Sequence, residues 1–202
     1  MKQRIIGLTG GIGTGKSTVS DYLNQVYQVP VLDADQYARD AVRQGSPILR
    51  LIQQRYGDEI LQDGCLNRSR LGEIIFNNPS EKQWLEQQIH PYVRQRIETE
   101  LSQLKAKIVL VVIPLLFEAK MTALVTEIWV VACSPQQQLR RVMQRDGLSE
   151  KEARSRIQSQ MSLPEKMARA DVVLDNETTV THLQQQIDQK MRQSSIPDVA
   201  DP

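Results

Sequence analysis

The stretch of sequence that decides the fold is Gly10-Gly11-Ile12-Gly13-Thr14-Gly15-Lys16-Ser17-Thr18, which directly follows the apolar residues 5–8. Its spacing fits G-x-x-x-x-G-K-[ST], the pattern of a phosphate-binding loop when a strand precedes it and a helix follows. Glycine lets the backbone approach an anion closely, so that successive N–H groups can turn toward phosphates. The pattern predicts that the chain holds a nucleotide by its phosphates, and an ordinary glycine-rich turn is the alternative.

The residues around this loop support a nucleotide site. A helix is predicted over residues 18–26, with its apolar residues on one face, so its positive N-terminal end points at the same anion. Lys16 supplies a mobile charge for the β- and γ-phosphates, and the Ser17 hydroxyl is a hard oxygen ligand suited to Mg²⁺.

Composition restricts the class of protein. The chain has 202 residues, of which 40% are hydrophobic and 24% charged, with a formal net charge of +1. This predicts one globular domain with insertions and no overall attraction to nucleic acid or membrane. Cys65 and Cys133 form no C-x-x-C pair, so a reduced, cytoplasmic setting is favoured over a disulfide or metal framework. No signal peptide or membrane span is visible, and the aperiodic end, from residue 192, predicts a flexible tail that includes residues 194–202.

Short apolar, β-rich runs alternate with helical stretches along the chain. The runs are residues 4–8, 30–32, 108–113, 127–132 and 171–174. Such alternation predicts an α/β fold with a five-stranded parallel sheet, right-handed crossovers and helices on both faces. Because residues 108–113 are apolar without interruption, we expect them to form the central strand.

One helical region precedes the third predicted strand, and a second helical region follows the fourth. The first contains predicted helices at residues 36–44, 47–56, 70–77 and 81–104, with a turn at Asp63-Gly64 and a kink or break at Pro91. An enzyme could use a segment of this kind to receive a second substrate. The second region contains a helix at residues 136–144 and another that begins with the capping-box pair Ser149 and Glu152. It carries the arginines Arg140, Arg141, Arg145, Arg154 and Arg156.

A phosphate loop is shared by switches, motors and kinases, so the class must come from other residues. The chain contains neither N-K-x-D, which reads guanine, nor D-x-x-G, which senses a γ-phosphate. The strand at residues 108–113 ends without a carboxylate that could activate water. A kinase is therefore favoured over a switch or a motor.

A carboxylate ends the second predicted strand. Ligands of open parallel sheets gather at the carboxyl ends of strands, so we expect Asp33 near the phosphates, where it accepts a hydroxyl proton or helps to hold Mg²⁺. A solvated turn carboxylate is the alternative. Asp35 is assigned a supporting role, or that of N-cap of the next helix. The arginines of the second helical region are suited to a lid that stabilises the transferred phosphoryl group, although a solvated helix face is their commoner role.

Further motifs follow the phosphate loop in order along the chain. They are Val31-Leu32-Asp33-Ala34-Asp35 with Ala38-Arg39, Leu66-Asn67-Arg68 with Leu71, Ile75-Phe76 and Asn78-Pro79, His90-Pro91, Pro114-Leu115-Leu116-Phe117-Glu118, Gln144-Arg145-Asp146, and Ala170-Asp171-Val172-Val173-Leu174-Asp175-Asn176. Over nearly its whole length the chain resembles the dephospho-coenzyme A kinase family. Asn67 departs from it, because the family often has Asp or Gln there.

The resemblance implies a three-layer P-loop kinase fold in a single domain, residues 1–202, with an acceptor-binding helical region at about 35–104 and a lid at about 136–169. It implies transfer of the γ-phosphoryl group of ATP, with Mg²⁺, to the ribose 3′-hydroxyl of dephospho-coenzyme A. It implies no nucleic-acid or membrane partner, and we expect a monomer or weak homo-oligomer.

The resemblance also implies roles for single residues. Asp33, Lys16 and Arg140 would be catalytic, with Asp33 as the general base. The ATP-binding set would be Gly11, Ile12, Gly13, Thr14, Gly15, Lys16, Ser17, Thr18, Arg140 and Asn176, with Ser17 on Mg²⁺. The acceptor-binding set would be Thr9, Asp33, Arg68, His90, Pro91, Leu115, Leu116 and Glu118. The alignment leaves Arg141 open in place of Arg140, and a structural role for His90 is favoured over proton transfer because it precedes a proline.

The residues leave other functions open. A kinase for nucleoside monophosphates or another small alcohol would share the phosphate loop and the lid. A nucleotide-dependent switch would share the loop alone.

Overall fold

The computed structural model describes residues 3–193 and, at Asn77, the backbone alone. The strands are β1 (Arg4–Gly10), β2 (Val31–Asp33), β3 (Leu61–Gln62), β4 (Cys65–Leu66), β5 (Ile108–Val112), β6 (Glu127–Ala132) and β7 (Val172–Asp175). The helices are α1 (Lys16–Tyr27), α2 (Ala34–Ala41), α3 (Pro47–Tyr56), α4 (Arg68–Asn77), α5 (Pro79–Gln103), α6 (Pro135–Asp146), α7 (Glu150–Gln158), α8 (Leu163–Met167) and α9 (Val180–Gln193). Short 3-10 turns lie at Asp58–Ile60 and Thr122–Leu124.

The main sheet has five strands in the order β2-β5-β1-β6-β7, and the predicted α/β fold with a parallel sheet is confirmed. β1 is the middle strand, with Leu8 in register with Val112 of β5 and Trp129 of β6. The prediction that residues 108–113 form the central strand is therefore wrong, because this strand, β5, lies next to the middle strand of the sheet. β1 and β5 each have two neighbours, so an uninterrupted apolar run marks an interior strand without saying which one lies in the middle.

Apolar side chains of the sheet, α1 and α9 form one core. Its fully buried members are Ile6, Leu8, Val19, Leu23, Leu110, Trp129, Val131, Leu174, Leu183 and Ile187. Because α1 begins directly after the phosphate loop, its contribution of Val19 and Leu23 fixes the helix that leaves the loop. The packing of the core thus holds both ends of the loop.

The chain forms two compact units. One combines Met1–Leu32 with Lys105–Pro202 and contains most of the main sheet, and the other is Asp33–Leu104. The second unit is helical and has its own core around Ile52, Ile60, Leu71 and Leu85. The predicted turn at Asp63-Gly64 is confirmed: both residues have positive φ and connect the β3–β4 hairpin. That this unit binds the acceptor stays a prediction.

Helix α5 runs without interruption from Pro79 to Gln103. Of the two predicted alternatives at Pro91, a break is therefore wrong, and a kink stays a prediction. Pro91 cannot donate to the carbonyl of Gln87, which weakens the helix locally. Buried residues on both sides of it, Leu85 before and Val93 after, hold the helix in the second unit. Tertiary packing here overrides a helix-breaking residue.

Helix α9 extends to Gln193 and includes Arg192, which the sequence had assigned to the tail. The rest of the predicted tail, residues 194–202, lies outside the described residues. No described helix is long and apolar enough to cross a membrane. Both cysteines are free thiols, exposed at Cys65 and buried at Cys133.

Replacing Pro91 should stabilise the protein. Pro91→Ala restores a backbone donor inside α5 and removes the proline ring, so the free energy of unfolding should rise by about 1 to 3 kcal/mol. Urea unfolding measures the change, with Gln95→Ala on the exposed side of the same helix as the control. An unchanged or lower free energy of unfolding for Pro91→Ala would contradict a continuous helix at this position.

Candidate active site

The phosphate loop joins the end of β1 to the start of α1, in the strand–loop–helix setting that the sequence predicted. The helix begins at Lys16, two residues before the predicted start, so Lys16 and Ser17 lie in its first turn. Gly15 precedes it with φ 100°, and a Cβ at this position would lie 2.1 Å from Nδ2 of Asn176. Only glycine fits this corner of the loop.

Side chains of the loop bond its own backbone. The ammonium group of Lys16 donates to the carbonyls of Gly10 and Gly11, at 3.1 and 2.9 Å. The buried hydroxyl of Thr14 also donates to the Gly11 carbonyl, at 2.9 Å. These bonds place a positive charge directly over the turn, and opposite charge favours binding of an anion there.

Asn176, which follows β7, supports the loop from outside. Its Nδ2 donates to the Thr14 carbonyl at 2.8 Å, and the residue is only 6% exposed. Its own N–H donates to the carbonyl of Ala132, at the end of β6, at 2.7 Å. The structure therefore brings Asn176 against the phosphate loop, and its expected role in ATP binding stays a prediction.

The two neighbouring arginines of α6 differ in their surroundings. Arg140 is exposed, whereas Arg141 is partly buried and donates from Nη2 to the Asn176 carbonyl at 3.0 Å. The buried Nη1 of Arg141 has no hydrogen-bond partner. The pKa of Glu177 is held below its usual range, first by hydrogen bonds from Ser134 and then by the charges of Arg141 and Arg140. Arg141, which the alignment left open in place of Arg140, is the one that contacts Asn176. The catalytic role of Arg140 stays a prediction.

A second group of polar contacts lies where β1 and β5 end. The carbonyl of Pro114 accepts from the Thr9 hydroxyl at 3.1 Å and from the Lys166 ammonium at 2.9 Å. Lys166 is fully buried and pairs with Glu118 at 2.9 Å. Oε1 of Glu118 also accepts from the N–H of Met161 at 2.9 Å, while its Oε2 is buried with no hydrogen-bond partner.

This group contains some of the residues predicted to contact an acceptor. Thr9 and Glu118 meet through Pro114 and Lys166, and Leu115 is partly exposed beside them. Leu116 has no exposed surface, which is typical of a core residue. The acceptor role of these residues stays a prediction, and no pattern in the sequence pointed to the buried Lys166.

Comparison with known proteins decides the family. A family model described as dephospho-CoA kinase matches residues 4–182, which is most of the chain. The chain belongs to the dephospho-CoA kinase family.

Relatives agree with this family. A dephospho-CoA kinase from Synechocystis is 62% identical over 188 residues, covering 92% of this chain and 94% of its own length. A crystal structure of a Thermus thermophilus protein is 34% identical with a TM-score of 0.85, covering 98% of this chain and all of that one. Dephospho-CoA kinase from Campylobacter jejuni is 28% identical with a TM-score of 0.70, covering 96% and 98% of the two chains. The chain is thus an ATP-dependent kinase, a transferase, with the three-layer P-loop kinase fold.

Asp33, for which the sequence predicts a general-base role, is the last residue of β2 and caps α2. That role stays a prediction. Its Oδ1 accepts from the N–H groups of Asp35 and Gln36, at 2.8 and 3.3 Å. The interpretation of Asp35 as N-cap is therefore wrong, because α2 begins at Ala34, one residue after Asp33. Both cap bonds of Asp33 use Oδ1, and neither uses Oδ2.

The second unit contains a cavity of about 330 Å³ with an apolar wall and charged residues. Its lining includes Arg68, whose predicted role in acceptor binding stays a prediction. Arg39 and Asp35, which the sequence had not assigned to acceptor binding, also line it. The apolar lining consists of Ala38, Val42, Leu66, Leu71, Ile75, Leu85 and Ile89, with Gly72.

The other predicted acceptor residues of this unit, Asp33, His90 and Pro91, are not among the residues that line the cavity. Burial lowers the pKa of His90, while the charge of Glu86 acts in the opposite direction. A lowered pKa favours the neutral imidazole, which fits the structural role expected of a residue inside a helix.

Removing the buried ammonium group of Lys166 should destabilise the fold. Lys166→Met leaves the Glu118 carboxylate without its charged partner, so the free energy of unfolding should fall by about 3 kcal/mol. Combining it with Glu118→Gln removes the uncompensated charge and should recover part of this loss. Urea unfolding of both variants and of the exposed control Lys151→Met measures the effect. Losses that simply add in the double variant would contradict a direct ion pair.

Proposed function

We propose that this chain transfers the γ-phosphoryl group of ATP to the ribose 3′-hydroxyl of dephospho-CoA, giving ADP and CoA. The observation that carries the proposal is the phosphate loop between β1 and α1, with Lys16 over its turn, in a chain of this family. Transfer to an alcohol in such enzymes relies on positioning and on charge stabilisation.

The donor is held by the loop and by residues that follow β6 and β7. In this proposal backbone N–H groups within residues 11–18 bind the phosphates of ATP, except that of Ile12, which donates to Gln160, and that of Thr18, which donates to the Gly15 carbonyl. Lys16 pairs with the β- and γ-phosphates. Asn176 supports the loop through its hydrogen bond to the Thr14 carbonyl and lies near the adenine base of ATP. Arg140, on the exposed side of α6, reaches the transferred phosphoryl group from a lid at about residues 136–169.

Ser17 is the residue proposed to hold Mg²⁺. It is exposed in the first turn of α1, and its hydroxyl is a hard oxygen of the kind that Mg²⁺ binds together with phosphate oxygens and water. The bound ion would neutralise charge on the β- and γ-phosphates. A single hydroxyl fits an ion whose other ligands come from nucleotide and solvent.

Asp33 is the proposed general base. Because Oδ1 already accepts from two backbone N–H groups, we assign the proton transfer to Oδ2. The cap fixes the carboxylate at the end of β2, and a fixed carboxylate loses little freedom when it accepts the hydroxyl proton.

The cavity of the second unit suits a long acceptor with an anionic part. We assign its apolar wall to the pantetheine arm of dephospho-CoA, and Arg39 with Arg68 to the diphosphate. His90 and Pro91 in this unit, and Thr9, Leu115, Leu116 and Glu118 in the other, remain proposed contributors to acceptor binding.

The setting of the reaction is also a proposal. A kinase that draws on the cellular ATP pool for cofactor synthesis is expected in the cytoplasm, and the two free thiols fit a reducing compartment. We propose a monomer or a weak homo-oligomer that binds no nucleic acid, in keeping with the net charge of +1.

An acceptor panel tests the function. The protein is incubated with Mg-ATP and, separately, with dephospho-CoA, nucleoside monophosphates and simple alcohols, and each product is identified by mass. Dephospho-CoA should give the highest kcat/KM. A higher kcat/KM for a nucleoside monophosphate would show that the enzyme acts on a different acceptor. If no acceptor were phosphorylated, a nucleotide switch would be favoured.

Asp33→Asn separates the proposed proton transfer by Asp33 from its role as N-cap of α2. Asparagine caps helices as well as aspartate does but cannot accept the hydroxyl proton, so kcat should fall about 100-fold or more while the free energy of unfolding stays within about 0.5 kcal/mol. Asp33→Ala loses both and should also destabilise the fold by about 1 kcal/mol. Steady-state kinetics at saturating substrates and urea unfolding measure the two effects.

Asp35→Asn is the matched control, since it changes a carboxylate two residues away without removing the cap. It should retain kcat within a few fold. Near-normal kcat in Asp33→Asn would remove the general-base role while leaving the kinase assignment intact.

A further inference from the structure

Ile12, in the middle of the phosphate loop, has both of its backbone polar groups bonded to glutamine side chains. Its N–H donates to Oε1 of Gln160 at 2.9 Å. Its carbonyl accepts from Nε2 of Gln138 at 2.8 Å. Gln138 lies in α6 and is 5% exposed, and Gln160 follows the end of α7. Both glutamines are distant from the loop in sequence, and they belong to two different segments of the chain.

These bonds fix the peptide group between Gly11 and Ile12 at both ends. Gln160 accepts from its N–H, and the Gly11 carbonyl at its other end accepts from Lys16 and Thr14. In a trans peptide the N–H and the carbonyl point in opposite directions. Gln160 and the Lys16 ammonium therefore lie on opposite sides of this peptide group.

The next peptide group, between Ile12 and Gly13, is held at its carbonyl by Gln138. The peptide is trans, as are all others among the described residues. Its N–H, which belongs to Gly13, is consequently turned away from Gln138 and from α6.

The close approach of α6 shows that this contact is part of the packing. A Cβ at Gly11 would lie 2.3 Å from Nε2 of Gln138, and a Cβ at Gly13 would lie 2.8 Å from Cγ2 of Val142. Gln138 and Val142 are one helical turn apart and share a face. Glycine at these two loop positions lets α6 approach closely enough for Gln138 to reach the backbone.

Gln160 is held in place by its neighbour. The N–H of Met161 donates to the Glu118 carboxylate at 2.9 Å, and the same carboxylate pairs with the buried Lys166. The segment that carries Gln160 is thus tied to the sheet by an ion pair, which limits the positions that its side chain can reach.

We propose that Gln138 and Gln160 are positioning residues that orient the two peptide groups flanking Ile12 so that the N–H of Gly13 faces the phosphates of the donor nucleotide. The inference rests on the proposed use of this loop for ATP. Neither glutamine needs to touch the nucleotide, because each acts through the loop backbone. A loop amide turned away from the phosphates would lose a charge-assisted hydrogen bond.

A pair of matched substitutions tests this role. Gln138→Glu and Gln160→Glu each add one negative charge within hydrogen-bond reach of Ile12. A carboxylate at position 160 still accepts from the Ile12 N–H, whereas a carboxylate at position 138 cannot donate to the Ile12 carbonyl. Charge repulsion of phosphate is common to both variants, so their difference reports the hydrogen bond.

The readout is the affinity for Mg-ADP, measured by calorimetry on the full chain. Gln138→Glu should bind ADP about tenfold more weakly than Gln160→Glu does. Gln136→Glu and Gln158→Glu place the same charge at nearby exposed positions and should bind within about twofold of the wild type. Equal losses in Gln138→Glu and Gln160→Glu would overturn the proposal, because charge alone would then explain them.

Two further variants guard against misfolding. Gln138→Met and Gln160→Met fill a similar volume without hydrogen bonding, and the melting temperature of the nucleotide-free protein checks that they fold. Both should bind ADP about tenfold more weakly than the wild type. Wild-type affinity for ADP in both methionine variants would show that the two glutamines only pack α6 and the segment after α7 against the loop. Failure of the wild-type protein to bind ADP would instead contradict the proposed donor site.

Discussion

A phosphate-binding loop must keep its backbone N–H groups available to an anion while its carbonyls are satisfied by other groups. In this chain Lys16 donates hydrogen bonds to the carbonyls of Gly10 and Gly11. The Ile12 carbonyl accepts from Gln138, and the Thr14 carbonyl accepts from Asn176. The last two side chains come from α6 and from the end of β7, far along the sequence. The shape of the loop therefore depends on the packing of the later part of the chain around the end of β1.

The ion pair between Lys166 and Glu118 extends this dependence. It joins α8 to the turn after β5, and the Pro114 carbonyl connects the pair to Thr9 near the end of β1. Fully buried charge is tolerated where it is paired and hydrogen-bonded, and here it ties the region expected to form the lid to the sheet. A disturbance of this pair should consequently reach the loop through Met161 and Gln160.

Local patterns predicted the features that local physics controls. The phosphate loop, the strand at residues 127–132, the helix at residues 47–56 and the capping box at Ser149 follow from periodicity and from side chains within a few residues. The α/β fold followed from the alternation of these elements, and the family resemblance supplied the acceptor.

Features that depend on contacts between distant residues were not predictable. The order of β1 and β5 in the sheet requires knowledge of pairing, and the passage of α5 through Pro91 requires its packing partners. The alignment left both Arg140 and Arg141 open, because nothing in the sequence shows which of two adjacent arginines faces Asn176. The most direct test of the kinase is the yield of ADP with and without dephospho-CoA at saturating Mg-ATP. A phosphotransferase should form one CoA per ADP and release ADP at least about 100-fold faster with the acceptor, whereas equal ADP release in its absence would contradict transfer to a ribose hydroxyl.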